Sequence, residues 1–159
     1  ELASQLGISK NTVENYLDLL SKVFIVYRMG AYSTNLRKEV SKSSKWYFYD
    51  NGIRNAIIND FRLLSLRNDI GPLWENYLIS ERIKRNSYDG KNVQYFFWRN
   101  YNQQEVDLIE LENGQLSAYE FKYSPTKKVK APAAFSTAYP KASGWTISKD
   151  NYLDWIDPK

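Results

Sequence analysis

The chain has 159 residues and a mass of 18.7 kDa, room for one ordinary domain or two small ones, and its 43% hydrophobic and 25% charged content excludes wholesale disorder. It contains neither cysteine nor histidine, which excludes disulfides, thiol catalysis, His-based triads and any metal held by sulfur or imidazole. A net charge of +4 permits a nucleic-acid partner without demanding one.

In chain order, residues 1–29 read as helices, two short ones in sequence. Leu2, Ala3 and Leu6 form an apolar stripe, Gly7 breaks it, and Ser9 is a natural N-cap for a second helix carrying Val13, Tyr16, Leu17 and Leu20. Two helices joined by a Gly-containing turn are the pattern of a helix-turn-helix. On that reading Lys10, Asn11 and Thr12 sit at the start of the second helix as candidate nucleic-acid contacts. Val23–Tyr32 and Trp46–Tyr49 are β-rich and enclose a basic stretch with Arg37, Lys38, Lys42 and Lys45. The expectation is therefore a winged helix whose wing touches phosphates. Asp50-Asn51-Gly52 is turn chemistry leading into a helix, Ile53–Phe61, with Ile53, Ala56, Ile57 and Phe61 on one face.

Arg67–Pro72 reads as a linker or helix start, and the chain divides into an expected domain at 1–62 and another at 63–159. Pro72 suits the first turn of a helix over Leu73–Arg85. Val93–Arg99 is an almost continuous aromatic run and reads as a buried strand. Glu105–Leu111 and Leu116–Tyr123 are strands joined at Asn113-Gly114, a strong hairpin signal. A helix over Lys127–Tyr139 opens with Lys127, Lys128 and Lys130, placed to meet a phosphate backbone. A strand at Trp145–Ile147 and a helix at Asp150–Ile156 close the chain. The expected class is α+β or α/β: a winged helix followed by a mixed sheet flanked by helices.

The hairpin fixes a register. With Asn113 and Gly114 as its loop, Asp107 falls opposite Glu120 and Glu105 opposite Lys122. Period-two alternation then puts all four on one face. Opposed carboxylates with Cβ atoms roughly 4.5–5.5 Å apart repel unless a cation lies between them. Mg²⁺ or Mn²⁺ fits, since such ions take one or two carboxylates and leave positions for water and substrate phosphate. Lys122 would hold a phosphate or the attacking water. The plainer reading is a cross-strand ion pair, Glu105 with Lys122, on a solvated face.

Asp107 followed by Glu120-Phe121-Lys122 resembles the D…(D/E)-x-K core of the PD-(D/E)XK nuclease superfamily. The chain is more closely similar to a C-terminal domain of unknown function found behind the AAA-type ATPase module of many bacterial and archaeal proteins. The phrases that carry this are Leu6-Gly7-Ile8-Ser9 with Thr12-Val13, Tyr47 to Arg54, Trp74-Glu75-Asn76-Tyr77, Trp98-Arg99 with Glu105-Val106-Asp107, and Glu120-Phe121-Lys122. The resemblance implies a winged helix plus a nuclease-like unit, with Glu75 completing a site of Asp107, Glu120 and Lys122. It implies DNA as a partner, and an N-terminal ATPase module outside this chain. Homo-oligomerisation is also open. Glu1, which is not a methionine and starts inside a helical pattern, points to a piece of a longer protein. No P-loop motif occurs, so no nucleotide is expected to bind here. The apolar run at Val23–Tyr27 is too short to span a bilayer, and the expected location is cytoplasmic. The alternative within the same resemblance is an inactive interaction or regulatory domain of that ATPase.

Overall fold

The computed structural model describes residues 2–34, 43–124 and 130–157. Helices α1 (Leu2–Leu6) and α2 (Lys10–Lys22) are separated where Gly7 takes φ +65°, a conformation that favours glycine. Ser9 caps α2, its Oγ accepting the Thr12 N–H at 3.1 Å, as the local sequence predicts. Strands β1 (Val26–Ala31) and β2 (Ser44–Phe48) then pair antiparallel, from Val26↔Phe48 to Gly30↔Ser44. Helix α3 (Asn51–Ile57) starts at Asp50, whose Oδ1 accepts the N–H groups of Gly52 and Ile53.

Helix α4 (Ile70–Tyr88) is longer than the periodicity suggests, with Pro72 in its first turn. It is followed by β3 (Gln94–Arg99), β4 (Glu105–Glu112), β5 (Gln115–Phe121), α5 (Ala133–Ala138), β6 (Ser143–Ile147) and α6 (Tyr152–Ile156). The fold is mixed α+β, with one six-stranded sheet in the order β2-β1-β3-β4-β5-β6. The β1–β3 and β5–β6 pairs are parallel and the remainder antiparallel. On one face Leu78 and Ile79 of α4 pack on Phe97, Leu108, Tyr119 and Phe121, with α6 alongside. On the other, Phe135 and Tyr139 at α5 pack on Trp98, Val106, Ile109 and Ala118.

Four expectations change. The strands expected to form a separate wing are the outer part of the common sheet: β1 pairs in parallel with β3, so the sheet runs straight across the boundary expected at 62/63. Arg67 is no linker residue. It is buried, and its guanidinium holds the Asp60 carbonyl at 2.5 Å and both oxygens of Asp69 at 2.8 Å. The apolar stripe expected to bury α3 faces outward instead; α3 contains no buried residue, and Phe61 beyond it is 68% exposed. The helix expected over Lys127–Tyr139 is described only as Ala133–Ala138, and Lys127 and Lys128 lie outside the described residues.

Candidate functional site

The site is built where β4 and β5 part. Asn113 and Gly114 take φ +50° and +78°, the left-handed pair that a two-residue hairpin requires. That turn sets the register Glu112↔Gln115 through Leu108↔Tyr119. Asp107 and Glu120 are the next residues beyond Leu108 and Tyr119. There the backbone pairing ends, and the Phe121 N–H donates to Asp107 Oδ2 at 2.8 Å. A register shift between Phe96 and Trp98 of β3 lies beside the same stretch of β4. Irregularities of this kind commonly re-aim a side chain at a site.

Asp107 is the perturbed group. Burial, then the charges of Glu120 and Glu75, push its carboxyl up to about 7, against smaller opposing contributions from the Phe121 N–H and Lys45. Glu120 Oε1 accepts from Lys122 Nζ at 2.7 Å. Burial works against the Lys122 charge, but Glu120, Asp107 and Glu75 outweigh it and hold the ammonium above its ordinary value. Lys122 therefore stays cationic and belongs to Glu120, not to Glu105 across the strand. Glu105 instead faces Arg99 of β3, its direct partner in the ladder, whose Nε donates to Oε2 at 2.6 Å. It also pairs with Lys45.

Glu75 projects from the first half of α4. Its Oε1 accepts from Lys45 Nζ at 3.0 Å and from Tyr47 Oη at 2.6 Å. Burial raises the Tyr47 hydroxyl pKa first and the Glu75 charge raises it further, so Tyr47 remains a donor. Lys45 and Tyr47 are two residues apart on β2 and share a face, which brings the N-terminal strands into the site. The Asn76 side chain fastens this arrangement. Its Oδ1 accepts the Phe48 N–H at 2.7 Å and its Nδ2 donates to the Phe48 carbonyl at 2.9 Å, docking α4 on β2.

Glu120 also forms part of the wall of an open cleft of about 760 Å³, whose lining includes Lys130, Phe135, Thr146, Ser148 and Asn151. Among the described residues no three acidic side chains converge into a ready-made metal cage. Asp107 and Glu120 are the carboxylates that could hold a divalent cation of the magnesium type. They supply two hard oxygen donors, and the burial that raises Asp107 is the condition a bound cation would relieve.

Of the expected nucleic-acid contacts, Lys10 and Asn11 are exposed at the start of α2, with Lys10 3.6 Å from Glu14. Thr12 is engaged in the cap, its Oγ1 2.8 Å from Ser9 Oγ. Arg37 and Lys38 lie outside the described residues. Lys45 and Tyr47 were not foreseen as partners of Glu75. Their alternation along one strand face is visible in the sequence, but the helix they meet is not.

Residues 1–64 match the model of a domain of unknown function, DUF8612, and residues 70–155 that of another, DUF4143. Two curated relatives are the "Uncharacterized protein Mb2031c" of Mycobacterium bovis and the "Uncharacterized protein Rv2008c" of Mycobacterium tuberculosis. Each is 28% identical over 131 residues, covering 81% of this chain and 29% of the relative. The chain thus corresponds to less than a third of the length of the relatives it matches. No solved structure matches it.

Proposed function

The chain belongs to the DUF4143 family, and on that premise we propose that it is a nucleic-acid-interacting part of a larger prokaryotic ATPase, with a metal-dependent nuclease-like site at Asp107, Glu120 and Lys122. One observation carries the reading. At the point where β4 and β5 separate, a half-buried Asp107 is crowded by Glu120 and Glu75, while a cationic Lys122 is held on Glu120. Glu120 and Glu75 each accept from a lysine, whereas Asp107 accepts from the Phe121 backbone N–H.

Asp107 and Glu120 would hold Mg²⁺ or Mn²⁺, with Glu75 within electrostatic reach. Such an ion supplies charge neutralisation at a phosphate and lowers the pKa of a bound water. Lys122 keeps its proton and would orient a phosphate oxygen or the attacking water. The helix–turn–helix–strand–strand order at the N-terminus supports a winged-helix reading, with Lys10, Asn11 and Thr12 near DNA. Arg37, Lys38, Lys127 and Lys128 complete the proposed phosphate contacts. The resemblance to ATPase-linked domains supports an N-terminal ATPase module in the whole protein and a cytoplasmic setting. Among the described residues no helix is long and apolar enough to cross a membrane.

A second reading is favoured by a separate observation. Tyr16, Leu19, Val23 and Phe24 on or just after α2, with Ile57 and Phe61 at α3, are exposed. An apolar surface of that kind suits an interaction or regulatory module without catalysis, in which self-association is an option. Mn²⁺ titration followed by cleavage assays on single- and double-stranded DNA separates the two. Wild type should bind Mn²⁺ and cut, whereas Asp107→Ala and Glu120→Ala should do neither. Equal, negligible Mn²⁺ binding by wild type and Asp107→Ala would leave the interaction module as the reading.

A further inference from the structure

We propose that Lys45 is a resident counter-ion of the site, which holds Glu75 away from the Asp107–Glu120 pair so that a divalent cation must compete with it for that third carboxylate. This inference deepens the proposed metal-dependent reading and rests on it.

The Lys45 side chain is only 21% exposed and reaches in from β2. Its ammonium lies 3.0 Å from Glu75 Oε1, contacts Glu105 Oε1, and sits 5.4 Å from the centre of the Phe97 ring. Tyr47, on the same strand face, adds a second donor to the same Glu75 oxygen at 2.6 Å. Glu75 therefore has one oxygen saturated by β2 and is turned toward that strand. This fits the finding that among the described residues no three carboxylates converge. The ammonium thus sits between two carboxylates, those of Glu75 and Glu105. A fixed positive charge at this place neutralises part of the cluster, and a divalent ion entering beside it meets direct repulsion.

Lys45 arrives from the N-terminal segment and Glu75 from α4, so the contact also links the two family-matched parts of the chain. Whatever draws β2 outward would free Glu75 for the cluster. Lys45 and Tyr47 thus act as positioning residues, through Glu75, and touch no substrate.

The test measures Mn²⁺ binding to the 159-residue chain by electron paramagnetic resonance of free Mn²⁺, for wild type and for Lys45→Gln, Lys45→Arg, Tyr47→Phe and Asp107→Ala. Lys45→Gln keeps a hydrogen bond to Glu75 but removes the charge, and should bind Mn²⁺ at least about tenfold more tightly. Lys45→Arg restores the charge and should return to wild-type affinity. Tyr47→Phe, a mild change that keeps the ring, should tighten binding by about two- to threefold, and it carries the test if Lys45→Gln does not fold. Binding by Lys45→Gln where wild type shows none also supports the inference. Asp107-dependent binding in wild type that is unchanged or weaker in folded Lys45→Gln, or, where Lys45→Gln does not fold, unchanged in Tyr47→Phe, overturns the role of Lys45 and leaves the metal reading standing. No binding in any variant overturns both.

Discussion

Asp107→Asn should make the protein more stable, and increasingly so as pH rises from about 4 to 7. In the folded chain the Asp107 carboxyl is pushed up from 3.8 to about 7 by burial and by Glu120 and Glu75. Between those values the folded state holds a proton that the unfolded state has released. Stability from this group is therefore fully present near pH 4 and declines as pH rises toward 7. Above pH 7 both states are ionised and the loss is complete. At ~1.4 kcal/mol for each tenfold change in proton affinity, the buried charge costs up to about 4 kcal/mol. Solvent reaching the site reduces this, so about 2–4 kcal/mol is expected. Asparagine avoids the charge, and its amide oxygen can still accept the Phe121 N–H now held at 2.8 Å. Urea unfolding of wild type and variant, each at pH 5 and pH 8 in the presence of chelator, reads the difference. The variant should gain about 2–4 kcal/mol relative to wild type at pH 8, and markedly less at pH 5. A variant that is less stable at pH 8, or a difference that does not change with pH, would refute the reasoning.

Mn²⁺ at pH 8 should raise the melting temperature of wild type and leave Asp107→Asn unmoved, as a thermal scan with and without the ion would show. Lys122→Ala should lose DNA cleavage but retain Mn²⁺ affinity, since its ammonium contacts Glu120 and is no ligand; a matched loss of both would place Lys122 in the structure of the site alone. Arg82→Ala should cost about 3–5 kcal/mol in urea, because Glu110 is 6% exposed and receives Arg82 Nε at 2.8 Å and Nη2 at 3.1 Å, and would be stranded in the core. Asn76→Ala should cost about 1–3 kcal/mol by leaving the Phe48 N–H without its partner and loosening α4 from β2.

Features set by a few adjacent residues were legible in the sequence. Gly7 at positive φ, the Ser9 cap and the Asn113-Gly114 turn each depend on local backbone sterics, and the turn carried its register as far as Leu108↔Tyr119. The same extrapolation failed three residues beyond. Once Asp107 takes the Phe121 N–H the ladder stops, so Glu105 turns to Arg99 in place of Lys122. Period-two counting has no means of sensing a broken ladder. Contacts across the chain were invisible for a related reason. The Lys45–Glu75 contact joins residues 30 apart, and nothing near Lys45 marks which helix it will meet. Glu110 looked like one more strand carboxylate, yet it lies under α4 with Arg82, Asn86 and Tyr119 donating to it. The outward face of α3 shows the opposite limit: a periodic apolar stripe marks a surface to be covered, without saying that this chain covers it.

The seam between β1 and β3 has a practical consequence for anyone dividing the protein. It is short, with Gly30↔Phe96 and Ala31↔Phe97 in register and the Tyr32 N–H donating to the Phe97 carbonyl at 2.7 Å. Yet it shields one side of Gln94-Tyr95-Phe96-Phe97-Trp98-Arg99, among the most aromatic stretches of the chain. Expressing residues 63–159 alone, as the junction of the two family models invites, would turn that stretch into a bare strand edge. Unpaired N–H and C=O groups beside four consecutive aromatic rings form a template for intermolecular pairing and precipitation. A soluble half-protein would need β1 kept with it, or a charge or proline introduced along β3 as protection. The cut that looks natural in the sequence is therefore a poor one in space, where the N-terminal strands serve the second half as its guard against aggregation.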